Sequence, residues 1–202
     1  MKKTVITISR EYGSGGREIG ANVARRLGIP FYDRKLINLA AEKSGLSHQF
    51  IEEREQKINS KFLISIAISN YSGSVFSRNS LLPEDKLFLT QSKVIRDIAA
   101  RESCVIVERC ADYILGRMEG LLNVFLYSDH ANRMERAVRE YGLNPATAEA
   151  ALKQKDRARR NHYNHYTGQV WGELHNYHLA ANTDYLGHDK VVGMIVEMAG
   201  GR

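Results

Sequence analysis

The stretch that most constrains this chain lies near its start, where an apolar run breaks into glycines and resumes as a helix. Residues 4–20 read TVITISREYGSGGREIG. Val5, Ile6, Thr7 and Ile8 are all β-branched and mostly apolar, the pattern of a strand buried on both faces of a parallel sheet. Gly13, Ser14, Gly15 and Gly16 follow, and Ile19, Val23 and Leu27 then recur on one helical face. Strand, glycine-rich turn and helix in this order make a cradle for an anion. The N–H groups of the turn converge, and the helix N-terminus adds a partial positive charge. A Cβ in such a turn would block close approach of a ligand and forbid the positive φ values the turn needs.

The stretch departs from the strict phosphate-loop pattern GxxxxGK[ST]. With Gly16 on the second glycine, Glu11 falls on the first glycine, Arg17 on the lysine and Glu18 on the Ser/Thr. The plainer alternative is a structural connection, with Glu18 favourable in the first helical turn. By itself the loop leaves both readings open.

With 202 residues, 43% of them apolar, the chain is long enough for one domain with a full core, or one domain carrying an insertion. No apolar run approaches the roughly 18 residues of a membrane span. The first strand begins almost at once, leaving no room for a signal peptide, so a cytoplasmic location is expected. The two cysteines, Cys104 and Cys110, have neither metal spacing nor a disulfide framework and read as reduced, partly buried thiols. A net charge of +6 fits an anionic ligand, although nucleic acid would fit it too.

Along the chain, Ile29 to Tyr32 reads as a second strand ending at Asp33. Asp33, Arg34 and Lys35 then lie where open α/β sheets bind ligands, and Asp33 can also cap the next helix. Residues 33–82 read as a helical insertion over the sheet. Within it, residues 61–70 are apolar on nearly all sides and 71–80 are small and polar, which predicts an oligomer contact or a mobile cover. A long helix starts at Pro83 and runs to about Arg101. Strands are expected at Cys104–Val107, Asn123–Tyr127 and near Leu179–Asn182, with short or closing helices between and after them. Residues 153–172, KQKDRARRNHYNHYTGQVWG, place Asp156 at i+3 and i+4 from Arg159 and Arg160. This density of arginine, tyrosine and histidine favours a phosphate-binding lid or basic surface over a solvated face. The expected architecture is a five-stranded parallel sheet with helices on both faces, in a single domain over 1–202.

ITISREYGSGGREIG (6–20), LGIPFYDRKLI (27–37), CVIVERCADYIL (104–115), DRARRNHYNHYTGQVWG (156–172) and NYHLAANT (176–183) together resemble the cytidylate kinase-like family of P-loop nucleotide kinases. The resemblance implies transfer of a phosphoryl group from ATP, with Mg2+, to a nucleoside monophosphate, cytidylate being the favoured acceptor. It implies that Gly13, Ser14, Gly15, Gly16 and Arg17 wrap the ATP phosphates, with Arg17 replacing a lysine. Glu18, in place of a hydroxyl residue, would be a carboxylate ligand for Mg2+. Asp33, Arg34, Arg109 and His178 would face the acceptor. Arg109 falls on the arginine of a Gly-Arg-Asp motif whose flanking residues are here Glu108 and Cys110. His178 stands where an acidic base-reading residue is more usual. Asp156, Arg157, Arg159 and Arg160 fall on the lid, whose arginines neutralise charge on the transferred group.

Three other readings compete. The altered loop suits a module that holds a nucleotide without turning it over. The Arg/Tyr segment could stack on nucleic-acid bases, but the basic run is short and no recognised nucleic-acid motif accompanies it. His162-x-x-His165 and His175-x-x-His178 have chelating spacing, without a cysteine or carboxylate to complete a set.

Overall fold

The computed structural model describes residues 3–34, 36–38 and 82–200. Most of the expected insertion at 33–82, including the whole of 61–80, lies outside the described residues. Strands β1 (Val5–Arg10), β2 (Phe31–Tyr32), β3 (Cys104–Val107), β4 (Leu121–Tyr127) and β5 (Leu179–Asn182) form one sheet in the order β2-β3-β1-β4-β5. Every pairing is parallel, and β1 is central. The β-branched composition of β1 and β3 suits this position, because a parallel strand covered on both faces has no polar side to present.

Helices α1 (Gly16–Leu27), α2 (Pro83–Arg101), α3 (Ala111–Leu115), α4 (His130–Arg139), α5 (Pro145–Thr167), α6 (Thr183–Leu186) and α7 (His188–Gly200) surround the sheet. The two-residue period of β1 divides the core. Ile6 and Ile8 pack with Ile19 and Val23 of α1 and Val191 and Ile195 of α7. Val5 packs with Ile95 and Ile98 of α2 and Ala111 and Leu115 of α3. Helix α5 starts where Asn144 caps it, its Oδ1 accepting from the Ala146 N–H at 2.9 Å, with Pro145 at the first helical position.

The connections from β1 to β2 and from β3 to β4 lead away from β1 to opposite sides of the sheet. The carboxyl end of β1, between β3 and β4, is therefore a topological switch point, where open α/β sheets form their ligand crevice. Residues 10–18 and 108–110 both emerge there.

Candidate functional site

Two left-handed glycines shape the turn after β1. Gly13 has φ +87 and Gly15, the residue before α1, has φ +72. The turn is also walled in. A Cβ on Gly13 would lie 2.8 Å from the carbonyl oxygen of Arg133, and one on Gly15 would fall inside the imidazole of His188. Only glycine satisfies both the dihedral and the space. Within the turn the Ser14 hydroxyl donates to the Glu11 carbonyl at 2.9 Å.

Side chains from later helices grip the outward carbonyls of this turn. Arg133 donates through Nε to the Tyr12 carbonyl at 2.7 Å, Arg136 through Nη1 to the Gly13 carbonyl at 3.0 Å, and the Thr183 hydroxyl to the Ser14 carbonyl at 2.9 Å. Asp156 accepts the Tyr12 N–H at 2.7 Å and also pairs with Arg133. Glu11 accepts the Ser128 N–H at 3.3 Å and sits 3.2 Å from Arg133 Nη1. Burial pushes the Glu11 carboxyl up, and Arg133 opposes that shift. The side chain on the position of the motif's first glycine thus ties β1 to β4 and α4.

Arg17 opens away from the turn and forks onto Asp33, with Nε at 2.9 Å and Nη2 at 2.8 Å from Oδ2, and its guanidinium lies over the Phe31 ring. Asp33 also caps the start of the next helix by accepting the Leu36 N–H at 3.2 Å. Both sequence readings of Asp33 therefore apply to one carboxylate. Glu18 is exposed in the first turn of α1, with Oε2 at 3.8 Å from His188 Nδ1.

At the end of β3 the chain makes an unusual turn. Glu108, Arg109 and Cys110 have φ of 72, 62 and 54, three successive left-handed residues without a glycine. The turn brings the Glu108 carboxylate between Arg10 and Arg159, with Arg159 Nε 2.5 Å from Oε1. Burial alone would raise the Glu108 carboxyl, but Arg10, Arg159 and Arg109 together hold it well below the ordinary carboxylate range. Arg109 is buried and lowered to about 10, first by burial. Arg34 is also lowered to about 10, by burial and then by the positive field of Arg109. Arg10, Arg34, Arg109 and Arg159 thus form one electrostatic cluster around Glu108.

Helix α5 does not keep its charged residues together. Asp156 and Arg159 point in at the glycine turn and at Glu108, and the Arg159 guanidinium also lies over the Tyr12 ring. Arg157 is exposed, and Arg160 stacks over Trp171. His178 is elsewhere. Its Nδ1 accepts the Asn123 N–H at 2.8 Å at the start of β5, where its own N–H donates to the Asn123 carbonyl. Asp33 follows β2 at the opposite edge, four strand spacings or roughly 19 Å away, so the structure does not bring His178 to Asp33. Among the described residues no group of His, Cys, Asp and Glu has the make-up of a metal cluster, which removes support from the histidine-pair reading. His162 packs instead against Phe88 and Tyr166.

The sequence reading missed Arg10, Arg133, Arg136, Thr183 and His188. Asn132, Arg136, Arg139, Thr183, Asp184 and His188 line an open cleft of about 610 Å3 beside the glycine turn. The signal available for Arg10 and Thr183 was position alone, because Arg10 ends β1 and Thr183 directly follows β5.

A family model described as the cytidylate kinase-like family matches residues 5–185. The chain belongs to this family. Among solved structures, an uncharacterized protein from Eubacterium ventriosum is similar at 23% identity and a TM-score of 0.75, over 99% of this chain and 100% of that one. Shikimate kinase from Acinetobacter baumannii, solved with shikimate, is similar at 16% identity and a TM-score of 0.54, over 98% and 93%. TT1252 from Thermus thermophilus follows at 15% identity and a TM-score of 0.56, over 99% and 98%. These likenesses share the fold, the kinase fold of the shikimate kinase among them. A comparison with curated proteins finds no match. Among the described residues no helix is long and apolar enough to cross a membrane.

Proposed function

We propose that this cytidylate kinase-like protein transfers the γ-phosphoryl group of ATP to a nucleoside monophosphate, with cytidylate the favoured acceptor. The observation that carries the reading is the walled glycine turn, which opens onto α1 beside a cluster of arginines at the switch point of the sheet. The N–H groups of residues 13–17 are the donors for the ATP phosphates, and the cleft beside Thr183 and His188 receives the nucleoside half. Arg17 serves the outer phosphates as a planar fork where a lysine would serve as a point charge. Asp33 holds that fork at the mouth of the site.

The acceptor's phosphate oxygen attacks the γ-phosphorus as the bond to the ADP oxygen breaks, giving ADP and a nucleoside diphosphate. No side-chain nucleophile is needed, because such a transfer relies on position and on positive charge spread over the equatorial oxygens. In this reading Arg109 and Arg34 bind the acceptor phosphate, and Arg159, Arg157 and Arg160 the transferring group once α5 and the residues after it close over it. Glu18, exposed in the first turn of α1 with Oε2 3.8 Å from His188 Nδ1, is the carboxylate that would hold a Mg2+ ion. When bound, that ion supplies charge neutralisation between the outer phosphates. Nucleotide substrates are the partners of this reading, and contact between copies through residues 61–80 remains part of it.

The Arg17–Asp33 pair favours a second reading, since a fork committed to a carboxylate suits a module that holds nucleotide without turnover. One comparison tests both. Arg17→Ala should weaken ATP binding by roughly tenfold or more and leave monophosphate binding nearly unchanged. Wild type should release ADP only when a monophosphate is present. Binding of ATP without transfer to any nucleotide would move the conclusion to the holding module. Unchanged ATP binding in Arg17→Ala would remove the glycine turn as the phosphate site.

A further inference from the structure

Glu108 stands where a glycine would be easier to accommodate. Its φ of 72 begins a run of three left-handed residues, a conformation that disfavours any side chain with a Cβ. In the motif that residues 108–110 resemble, the first position is glycine. Here a carboxylate fills that position and reaches into the crevice, where Oε1 accepts from both Arg10 and Arg159. Arg109 is the next residue and is itself buried, and Arg34 lies in the same field. An oxygen shared by two guanidiniums at a sheet switch point has the surroundings of a bound oxyanion.

We propose that Arg10 and Arg159, with the buried Arg109 next to Glu108 in the chain, form a single oxyanion site whose resident occupant is the protein's own Glu108 carboxylate, which an incoming phosphate or phosphomonoester displaces. The inference rests on the acceptor site proposed above and adds a competitor to it. Guanidiniums this close repel one another, so the site needs an anion to stay compact. Glu108 supplies one negative charge from a flexible side chain. A phosphate supplies up to two, with several oxygens able to take forked guanidinium contacts, and so has the advantage once it arrives. Glu108 thereby raises the threshold for acceptor binding and keeps the crevice assembled in its absence.

The test is titration of inorganic phosphate into wild type, Glu108→Gln and Glu108→Gly by calorimetry, with saturating ADP present to fill the glycine turn. Both variants should bind phosphate roughly tenfold or more tightly than wild type. Without phosphate, Glu108→Gln should melt below wild type, and phosphate should restore its melting temperature more than it raises that of wild type. Equal or weaker phosphate binding by the variants would overturn the proposal, as would a lowered melting temperature that phosphate does not restore. If Glu108→Gln and Glu108→Gly fold only in phosphate, the proposal is supported directly. If neither folds at all, Glu108→Asp carries the test, because its shorter side chain cannot span Arg10 and Arg159. Tighter phosphate binding is then expected, and unchanged binding refutes the idea. ADP binding by wild type is read separately. ADP binding with no gain in phosphate affinity overturns only the counter-anion, whereas absence of ADP binding overturns the nucleotide reading and leaves the phosphate comparison intact.

Discussion

Gly13→Ala isolates the physical demand of the glycine turn. Two separate costs apply. A left-handed φ of +87 at a residue with a Cβ costs about 1–2 kcal/mol. The new methyl would also lie 2.8 Å from the Arg133 carbonyl oxygen, 2.9 Å from its Cβ and 3.0 Å from its Cα. The first and last of these are backbone atoms of α4, so no side-chain rotation relieves the overlap. Forcing the turn and the helix apart adds the penalty of overpacking, about 1–3 kcal/mol. The sum is about 2–5 kcal/mol, and at roughly 2–4 °C per kcal/mol for a domain of this size the melting temperature should fall by about 4–20 °C.

Gly28→Ala is the control for the first cost. Gly28 has φ +64 at the end of α1, and a Cβ there meets nothing within 4 Å. Its loss should be the conformational part alone, about 1–2 kcal/mol. Thermal denaturation followed by circular dichroism on the two variants therefore separates contact from dihedral. Because α4 also carries Arg133 and Arg136 to the turn's carbonyls, Gly13→Ala should weaken ATP binding, and Gly28→Ala should not. Equal losses of stability in the two variants would refute the claim that α4 walls the turn.

Other outcomes follow from the charged groups. Burial, aided by Arg109, lowers His162 to about 3 from an unfolded value near 6.5, so its contribution is complete above pH 6.5 and is lost as pH falls toward 3. Urea unfolding should show wild type losing about 1–2 kcal/mol more than His162→Phe between pH 6.5 and 5. Asp85 behaves in the opposite sense, since burial first and Glu84 second raise it to about 6. Its ionisation opposes folding as pH rises from about 4 to 6, and Asp85→Asn should gain melting temperature at pH 7 with little gain at pH 4. Arg159→Ala should lower the melting temperature by removing a buried partner of Glu108. Arg157→Ala, on the exposed side of α5, should leave it within a degree or so and act on turnover alone.

The parts of the fold that depend on local pattern were legible in the sequence. Val5–Ile8 and Cys104–Val107 are β-branched runs between breakers, and a strand buried on both faces leaves little else for them to be. The helix starting at Pro83 and the cap at Asn144 follow from equally local chemistry. The site was legible only where its geometry is local too, as at Gly13 and Gly15. Glu11 reads as a defect in a motif until β4 and α4 place Ser128 and Arg133 against it. Glu108 gives no sign of a left-handed backbone, because the residues that hold its carboxylate are 98 and 51 positions away. The charge-dense stretch 153–172 showed which residue types crowd together without showing their faces. Helical phase puts Asp156 and Arg159 inward and Arg157 outward, and the apolar anchors Ala148 and Leu152 that fix this phase lie mostly ahead of that stretch. His178 lies at the β5 edge, and a chain-order match to an acceptor residue carries no information about which edge of the sheet it joins.

The same phase explains how one helix serves both halves of the crevice. Asp156 holds the Tyr12 N–H in the glycine turn, and Arg159, three residues on, holds Glu108 after β3. The two side chains also contact each other, with Arg159 Nη1 at 3.4 Å from Asp156 Oδ1. Arg133 bonds to Asp156, Glu11 and the Tyr12 carbonyl, so α4 enters the same network. An anion that drew Arg159 away from Glu108 would load the Asp156 contact and thus the backbone of the glycine turn, and an anion in the glycine turn would act on Asp156 from the other side. Coupling of this kind is reciprocal for binding free energies, whichever ligand arrives first. A simple phosphate loop with glycine at its first position and a lysine at its end would lack the Glu11–Arg133 tie. In this chain Glu11, on the position of the motif's first glycine, therefore joins the glycine turn to α4 through Arg133, and through Asp156 and Arg159 to Glu108.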